Sequence, residues 1–186
     1  MAAAAEDDAL APVTLRPFTP VDWPRLLKWL RDPAVERWWG SPSSSEAGIR
    51  LVLETTSALG RMIEVAGRPV GYTHAIDAAC WGEQLPDVLP QWTWDVDIFI
   101  GEPEFRGRHV GEAALDLLAD EVFSTTFAMA LSVFVSVRNE SAVRAYERAG
   151  FKWVTVWEDS VAGPEWLMLR KRPTKNGGPP VGAEPP

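Results

Sequence analysis

The sequence predicts an α/β protein in which one mixed, mostly antiparallel sheet is sandwiched between helices on both faces. Three observations carry that expectation. Several short segments alternate in polarity with a period of two, others carry apolar residues at i, i+3, i+4 and i+7, and the two kinds interleave along the chain. The length of 186 residues, 46% of them hydrophobic, suits one well-buried domain and is short for two.

Val13 to Phe18 alternates like a strand. Thr19-Pro20-Val21-Asp22 then reads as an N-cap, a proline at N1 and an acid at N3, so a helix is expected to begin there. Trp23, Leu26, Leu27 and Leu30 form its apolar stripe, and Pro33 closes it. After Trp38-Trp39-Gly40 and a Ser-rich turn, Ser45 to Ala58 is a second helical region with Ile49, Val52 and Leu53 at helical spacing. Arg61 to Ala66 and Pro69 to Ala75 are apolar segments joined by Gly67-Arg68, a tight hairpin turn. Residues 80–91 read as a loop. From Trp92 to Ile100 the alternation runs unbroken, with Thr93, Asp95, Asp97 and Phe99 forming a chemically distinct second face of a strand.

Glu112 to Phe123 is helical, with Leu115, Leu118, Ala119 and Val122 on one face, and Ala130 to Val137 is a Val-rich strand. Asn139 can cap the next helix, Glu140 and Arg144 form an i, i+4 pair on it, and Gly150 is its stop. Strands near Phe151 to Trp157 and Glu165 to Arg170 complete a domain expected over residues 12–172. Residues 1–11 and 173–186, rich in alanine and in proline and glycine, are expected to be disordered tails.

Composition narrows the function. A net charge of −8 argues against nucleic acid as a partner, because no basic excess is available to displace counterions. No apolar run is long enough to span a bilayer, no signal sequence is visible, and Cys80 is the only cysteine, so a cytoplasmic, reduced protein without membrane partners is expected. Between Asp77 and Glu104 lie seven acids and no Lys or Arg, a stretch suited to attract a cation or to form a solvated loop.

Arg106-Gly107-Arg108-His109-Val110-Gly111 sits between a strand and a helix, where free backbone N–H groups and the positive helix end can hold an anion. Glycine lets the backbone approach it closely, and Arg106 and Arg108 add charge. Downstream, Asn139-Glu-Ser-Ala-Val-Arg-Ala-Tyr146-Glu-Arg-Ala-Gly-Phe151 begins two residues after a strand.

Together the two motifs resemble the GNAT superfamily of N-acetyltransferases, over about Val13 to Arg172. The resemblance implies a GNAT-like fold, acetyl-coenzyme A as co-substrate and no metal. It implies that the first motif binds the coenzyme A pyrophosphate through backbone amides of residues 106–111, and that the helix bearing Asn139, Ala142 and Tyr146 flanks the pantetheine. Ile98, Phe99 and Ile100 would line the same cofactor. His109 stands where the family usually has its first glycine. Since only its N–H is needed, the loop is expected to survive, with the His109 side chain turned away from the phosphates or touching them.

Attack by an amine on a thioester needs a neutral amine, a stabilised oxyanion and an acid for the departing thiolate. A carboxylate near the thioester suits the first, a strand N–H splayed from its neighbour the second, and Tyr146 the third. Tyr146 could instead be a packed aromatic with a satisfied hydroxyl. Acids are disfavoured in strands, so Asp95 and Asp97 invite a role, although an arginine partner would also explain Asp97.

Within the superfamily the chain is most similar to aminoglycoside 6'-N-acetyltransferases, through Val13-Thr-Leu-Arg16, Glu36-Arg-Trp-Trp-Gly40, Gly67-x-Pro-Val-Gly-Tyr72 and the Asp97-to-Gly111 spacing. That resemblance places the catalytic aspartate at Asp97. Trp38, Trp39, His74, Asp95 and Asp97 are the candidate acceptor-binding residues, and His74 is also a candidate proton relay or a structural histidine. Cys80 has no activating histidine at a telling spacing. The expected reaction is acetylation of a primary amine on a cationic small molecule. A siderophore precursor or protein N-terminus is the alternative acceptor, and a non-catalytic coenzyme A sensor the alternative class. A monomer or a homodimer is expected.

Overall fold

The computed structural model describes residues 11–159 and 163–173, except the side chains of residues 82–84 and 159. The two expected tails, apart from Ala11 and Pro173, lie outside the described residues. The chain runs β1 (Val13–Pro17), α1 (Trp23–Leu30), α2 (Pro33–Trp39), α3 (Pro42–Glu54), β2 (Ala58–Val65), β3 (Arg68–Asp77), β4 (Thr93–Ile100), α4 (Val110–Thr125), β5 (Ala130–Ser136), α5 (Glu140–Arg148), β6 (Lys152–Asp159) and β7 (Gly163–Lys171).

Capping chemistry explains where the helical regions depart from expectation. Asp22 accepts from Thr19 N and Thr19 Oγ1 across a 3-10 turn, Pro20–Asp22, and is held by Arg16 at 2.6 Å, so the helix expected to begin there starts only at Trp23. Pro33 ends α1 but also starts α2, because Asp32 Oδ1 accepts from Ala34 N and proline is preformed for N1. Trp38 and Trp39 are therefore helical. The Ser-rich segment is the first turn of α3, capped by Ser41 Oγ, and Thr55 returns to extended backbone so that Ala58 already belongs to β2. The hairpin turn is Ala66-Gly67, one residue earlier than expected, with φ of 51° and 74°. Both turn residues at positive φ match the twist of the flanking strands. Part of the expected loop coils into 3-10 turns over Ala78–Gln84, capped by Asp77.

The seven strands form one sheet in the order β1-β2-β3-β4-β5-β7-β6. Only β4 and β5 run parallel. Side chains alternate between faces. Met62, Tyr72 and Phe99 pack with Leu26, Leu30, Val35 and Ile49 of α1–α3, whereas Val96, Leu131, Val133 and Met168 pack with Leu115, Leu118 and Val122 of α4 and Val143 of α5. Helices thus cover both faces, as expected.

The decisive feature is a split. β3 stays paired with β4 as far as Ile100, and β5 with β7 as far as Ser136, yet β4 and β5 pair only at Thr93–Ala130, Trp94–Leu131 and Asp95–Ser132. Beyond Asp95 the two strands part and leave a wedge in the middle of the sheet.

Candidate active site

Peptide groups alternate in direction along a strand. Met129 N donates to Trp92 O, and Gly101 N donates to Val70 O. Even-numbered residues of β4 therefore turn their backbone polar groups toward β5, and odd-numbered ones toward β3. Past the split, the N–H and C=O of Ile98 face the wedge without a strand partner. Ile100 faces it too, but its carbonyl accepts from Arg106 Nε at 2.9 Å.

A cleft of about 540 Å³ opens from this wedge. Ile98, Phe99 and Ile100 form one wall, Arg106, Gly107, His109, Val110, Gly111 and Glu112 a second, and Asn139, Ser141, Ala142, Arg144, Ala145 and Arg148 a third, with Trp38 and Trp39 at one side. Two segments 30 residues apart in sequence meet here because the parting strands deliver both α4 and α5 to the same gap.

The N-terminus of α4 points into the cleft. Ala113 N bonds to His109 O, no side chain caps the helix, and the N–H groups of Val110, Gly111 and Glu112 precede the first intrahelical bond. A Cβ built on Gly111 would meet only Ile98 Cδ1, at 4.0 Å, so the space above it is open to a ligand. Positive helix-end dipole and free amides together make an anion site.

Two expectations about this turn are corrected. Arg106 does not offer its charge to the cleft: Nη2 donates to Asp32 Oδ2 at 2.7 Å and to Gly101 O at 2.9 Å. The backbone of position 109 also demands more than an N–H, because His109 sits in the left-handed region at φ 61°, a conformation glycine adopts without steric penalty. Its imidazole turns aside to Glu112 Oε2 at 3.0 Å, which also accepts from Arg148 Nε of α5 at 2.8 Å. His109 and Arg148 hold the Glu112 carboxyl below its usual range. Arg108 is exposed in the turn and is not part of the cleft wall.

Acids gather beside the cleft. Asp95, Asp97 and Phe99 share one face of β4, opposite Ile76, His74 and Tyr72 of β3. Ser132 Oγ donates to Asp95 Oδ1 at 2.9 Å. Burial first, and the charge of Glu165 on β7 to a lesser degree, push Asp95 up to about 7 against the pull of Ser132 and of the Trp81 indole. Burial, Asp95 and Glu165 raise Asp97 well above the usual carboxylate range. No arginine pairs with Asp97, and among the described residues no hydrogen bond reaches its carboxylate. The arginine explanation for Asp97 is thereby removed.

Tyr146 is buried, edge-on to Phe151 at 5.3 Å, and its hydroxyl hydrogen-bonds no described residue. Burial, then Asp97 and Asp95, hold it far above the ordinary tyrosine range, so its hydroxyl is neutral. Asn139 is used as the cap of α5, its Oδ1 accepting from Ala142 N and Ser141 Oγ. His74 is buried beside Trp39, with ring centroids 6.1 Å apart, and desolvation lowers it to about 4, so it is neutral at physiological pH. Trp39 also packs edge-on against Phe99 at 4.9 Å, which joins the His74–Asp97 pair to the cleft.

The family model for the acetyltransferase (GNAT) domain matches residues 19–158. The chain belongs to the GNAT acetyltransferase family. An aminoglycoside N(6')-acetyltransferase type 1 of Klebsiella pneumoniae is 25% identical over 151 residues, 75% of this chain and 74% of the relative. Two solved structures share the fold. The aminoglycoside acetyltransferase AAC(6')-Ib in complex with coenzyme A and kanamycin has a TM-score of 0.76 at 24% identity, over 86% of this chain and 95% of that one. The spermidine N-acetyltransferase of Vibrio cholerae with coenzyme A and spermine has a TM-score of 0.67 at 17% identity, over 86% and 95%.

In this GNAT protein the seven acids between Asp77 and Glu104 do not act as a unit. Glu102 and Glu104 are neutralised by Arg68, Glu102 also meets Arg25, and Asp77 caps a turn, while the Glu83 side chain lies outside the described residues. Only Asp95 and Asp97 remain at the wedge. Glu165 joins them from β7, and Asp32, Glu112 and Arg148 frame the cofactor side. None of these four could be read from sequence, because each earns its place through a partner on a distant element. Among the described residues no His, Cys, Asp or Glu set converges as a metal site, and no helix is long and apolar enough to cross a membrane.

Proposed function

We propose that this acetyltransferase transfers the acetyl group of acetyl-coenzyme A to a primary amine of a polycationic small molecule, the 6'-amino group of an aminoglycoside, in a ternary complex. The observation that carries the reading is the set of acids at the wedge, Asp95, Asp97 and Glu165, beside the open Ile98 N–H. An ammonium-bearing acceptor supplies the positive charge that Asp97 lacks. The Klebsiella relative, named for aminoglycoside 6'-acetylation, supports the acceptor class and an antibiotic-resistance role.

The pyrophosphate rests on the amides of Val110, Gly111 and Glu112 and the Gly107 turn, and the pantetheine follows α5 past Asn139 and Ala142 into the wedge. Asp97, with its affinity for protons raised, takes the proton from the acceptor ammonium. The freed amine attacks the thioester carbon, a C–N bond forms, and the oxyanion is received by the Ile98 N–H. As the C–S bond breaks, Tyr146 gives its proton to the thiolate, the extra proton on the attacking nitrogen passes through water to the Tyr146 phenolate, and coenzyme A leaves as the thiol beside a neutral amide. Asp95 and Glu165 hold further ammonium groups, and Trp38 and Trp39 flank the acceptor.

Thiol release from acetyl-coenzyme A tests this with kanamycin, a related aminoglycoside bearing a hydroxyl at 6', hydroxylysine-type amines and peptides with free N-termini. Turnover is expected with kanamycin and not with the 6'-hydroxyl compound. Turnover with peptides alone overturns the acceptor class, and absence of turnover with every amine leaves a coenzyme A sensor.

A further inference from the structure

His74 and Asp97 face each other directly across β3 and β4 and project to the same face of the sheet. Side chains so opposed have Cβ atoms about 5 Å apart, a gap that an imidazole and a carboxylate span directly or through one water. His74 is only 6% exposed and its Nδ1 has no hydrogen-bond partner. Two residues earlier on the same face, Tyr72 is fully buried with its hydroxyl likewise unpartnered, and the two rings lie 5.7 Å apart. Each buried polar atom left unpaired costs about 1–3 kcal/mol, and apolar rings would pack against Trp39 as well without that cost. The three unpartnered groups are complementary in sequence: a hydroxyl donor, a neutral imidazole with one acceptor and one donor nitrogen, and a carboxylate acceptor.

We propose that His74 is a positioning residue for Asp97: its Nε2–H is directed to the Asp97 carboxylate, and the Tyr72 hydroxyl, donating to Nδ1, holds the imidazole in that tautomer. The significance for turnover rests on the reading of Asp97 as the proton acceptor; the contact itself does not. Asp95 from the same strand and Glu165 from β7 both disfavour the Asp97 carboxylate, Tyr146 of α5 and Tyr72 of β3 are its uncharged titratable neighbours, and α2 contributes only the neutral Trp39 ring. A single N–H donor from β3 opposes that disfavour and sets the pH at which Asp97 can accept a proton. Burial keeps His74 itself uncharged while it does so.

Carboxyl-carbon NMR titration of Asp97 in the free full-length protein reads the contact without turnover. His74→Leu keeps bulk and removes the donor, and is expected to raise the Asp97 midpoint by about one pH unit. His74→Gln keeps an N–H donor and is expected to hold the midpoint near that of the native protein. An unchanged midpoint in His74→Leu, or an equal rise in both variants, overturns the proposal. Nitrogen NMR of the native imidazole gives an independent reading: an Nε2–H tautomer persisting below pH 5 supports it, and an Nδ1–H tautomer overturns it. If instead Asp97→Asn retains turnover while the titration behaves as expected, the base assignment fails and the His74 contact stands.

Discussion

Arg106 reaches back from the anion-binding turn to Asp32, its Nη2 donating to Oδ2 at 2.7 Å, while the same guanidinium holds the carbonyls of Ile100 and Gly101. One side chain thus ties the cap of α2 to the end of β4, beside the turn that leads into α4. Arg106→Ala removes three charge-assisted bonds and is expected to lower unfolding free energy by about 1–3 kcal/mol in urea titrations. Affinity for acetyl-coenzyme A should fall only modestly. A large loss of affinity with unchanged stability would return Arg106 to the phosphate.

His109 holds the left-handed backbone that a glycine would hold without strain. His109→Gly relieves about 1 kcal/mol and gives up an exposed contact to Glu112 worth less, so the thermal midpoint should stay level or rise by a few degrees with coenzyme A affinity retained. His109→Val forces a β-branched residue into the same φ and should lower both. The opposite ranking of the two variants in thermal melts would show that the Glu112 contact, rather than backbone strain, governs the turn.

On the proposed mechanism Asp97→Asn removes the proton acceptor and should cut kcat by about 100-fold or more, with the dissociation constant for acetyl-coenzyme A unchanged by calorimetry. Tyr146→Phe keeps the packing on Phe151 and removes the donor, so a smaller drop in kcat is expected, about 10-fold to 100-fold. Near-native turnover in either variant excludes that residue from the mechanism.

Stability should change with pH in two windows. Arg16 foremost, and the Thr19 cap, lower Asp22 to about 2, so its contribution is present above about pH 4 and is lost as pH falls toward 2. Asp95 behaves in the opposite sense. Raised to about 7, it stays protonated in the fold where the unfolded chain has already ionised, so its contribution to stability declines as pH rises from about 4 to 7 and then levels. His74, lowered to about 4 from an ordinary 6.5, works the other way: the unfolded chain takes up a proton that the folded imidazole refuses, so its contribution rises with pH between about 4 and 6.5 and offsets that of Asp95. The Asp95 contribution is therefore read by difference: in chemical denaturation the stability of Asp95→Asn relative to the native protein should increase from about pH 4 to 7, and kanamycin should stabilise more at pH 8 than at pH 5, since a cation favours the ionised acids. Parallel pH profiles of the two proteins would remove Asp95 from the buried cluster.

Much of this site was readable from local chemistry. Alternation from Trp92 to Ile100 identified β4 and put Asp95 and Asp97 on one face; Asn139 marked the start of α5, and the turn before α4 marked an anion site. Those features depend on residues close in the chain, where periodicity, caps and glycine act. The boundaries that shifted, at Pro33, Ser41 and Ala66, are places where two adjoining elements compete for one punctuating residue.

The sequence by itself thus determined the strands, the helices other than α2, the paired motifs and the candidate chemistry of Asp97 and Tyr146, because each is written in spacing and side-chain type. Only the tertiary structure decided that β4 and β5 separate after Asp95, that Arg106 is spent on Asp32, that Glu165 joins the acids and that His74 stands opposite Asp97 in the register of β3 and β4. Strand pairing, charge pairing and burial are set between residues 20 to 75 positions apart, and no local pattern encodes which distant partner a side chain will meet.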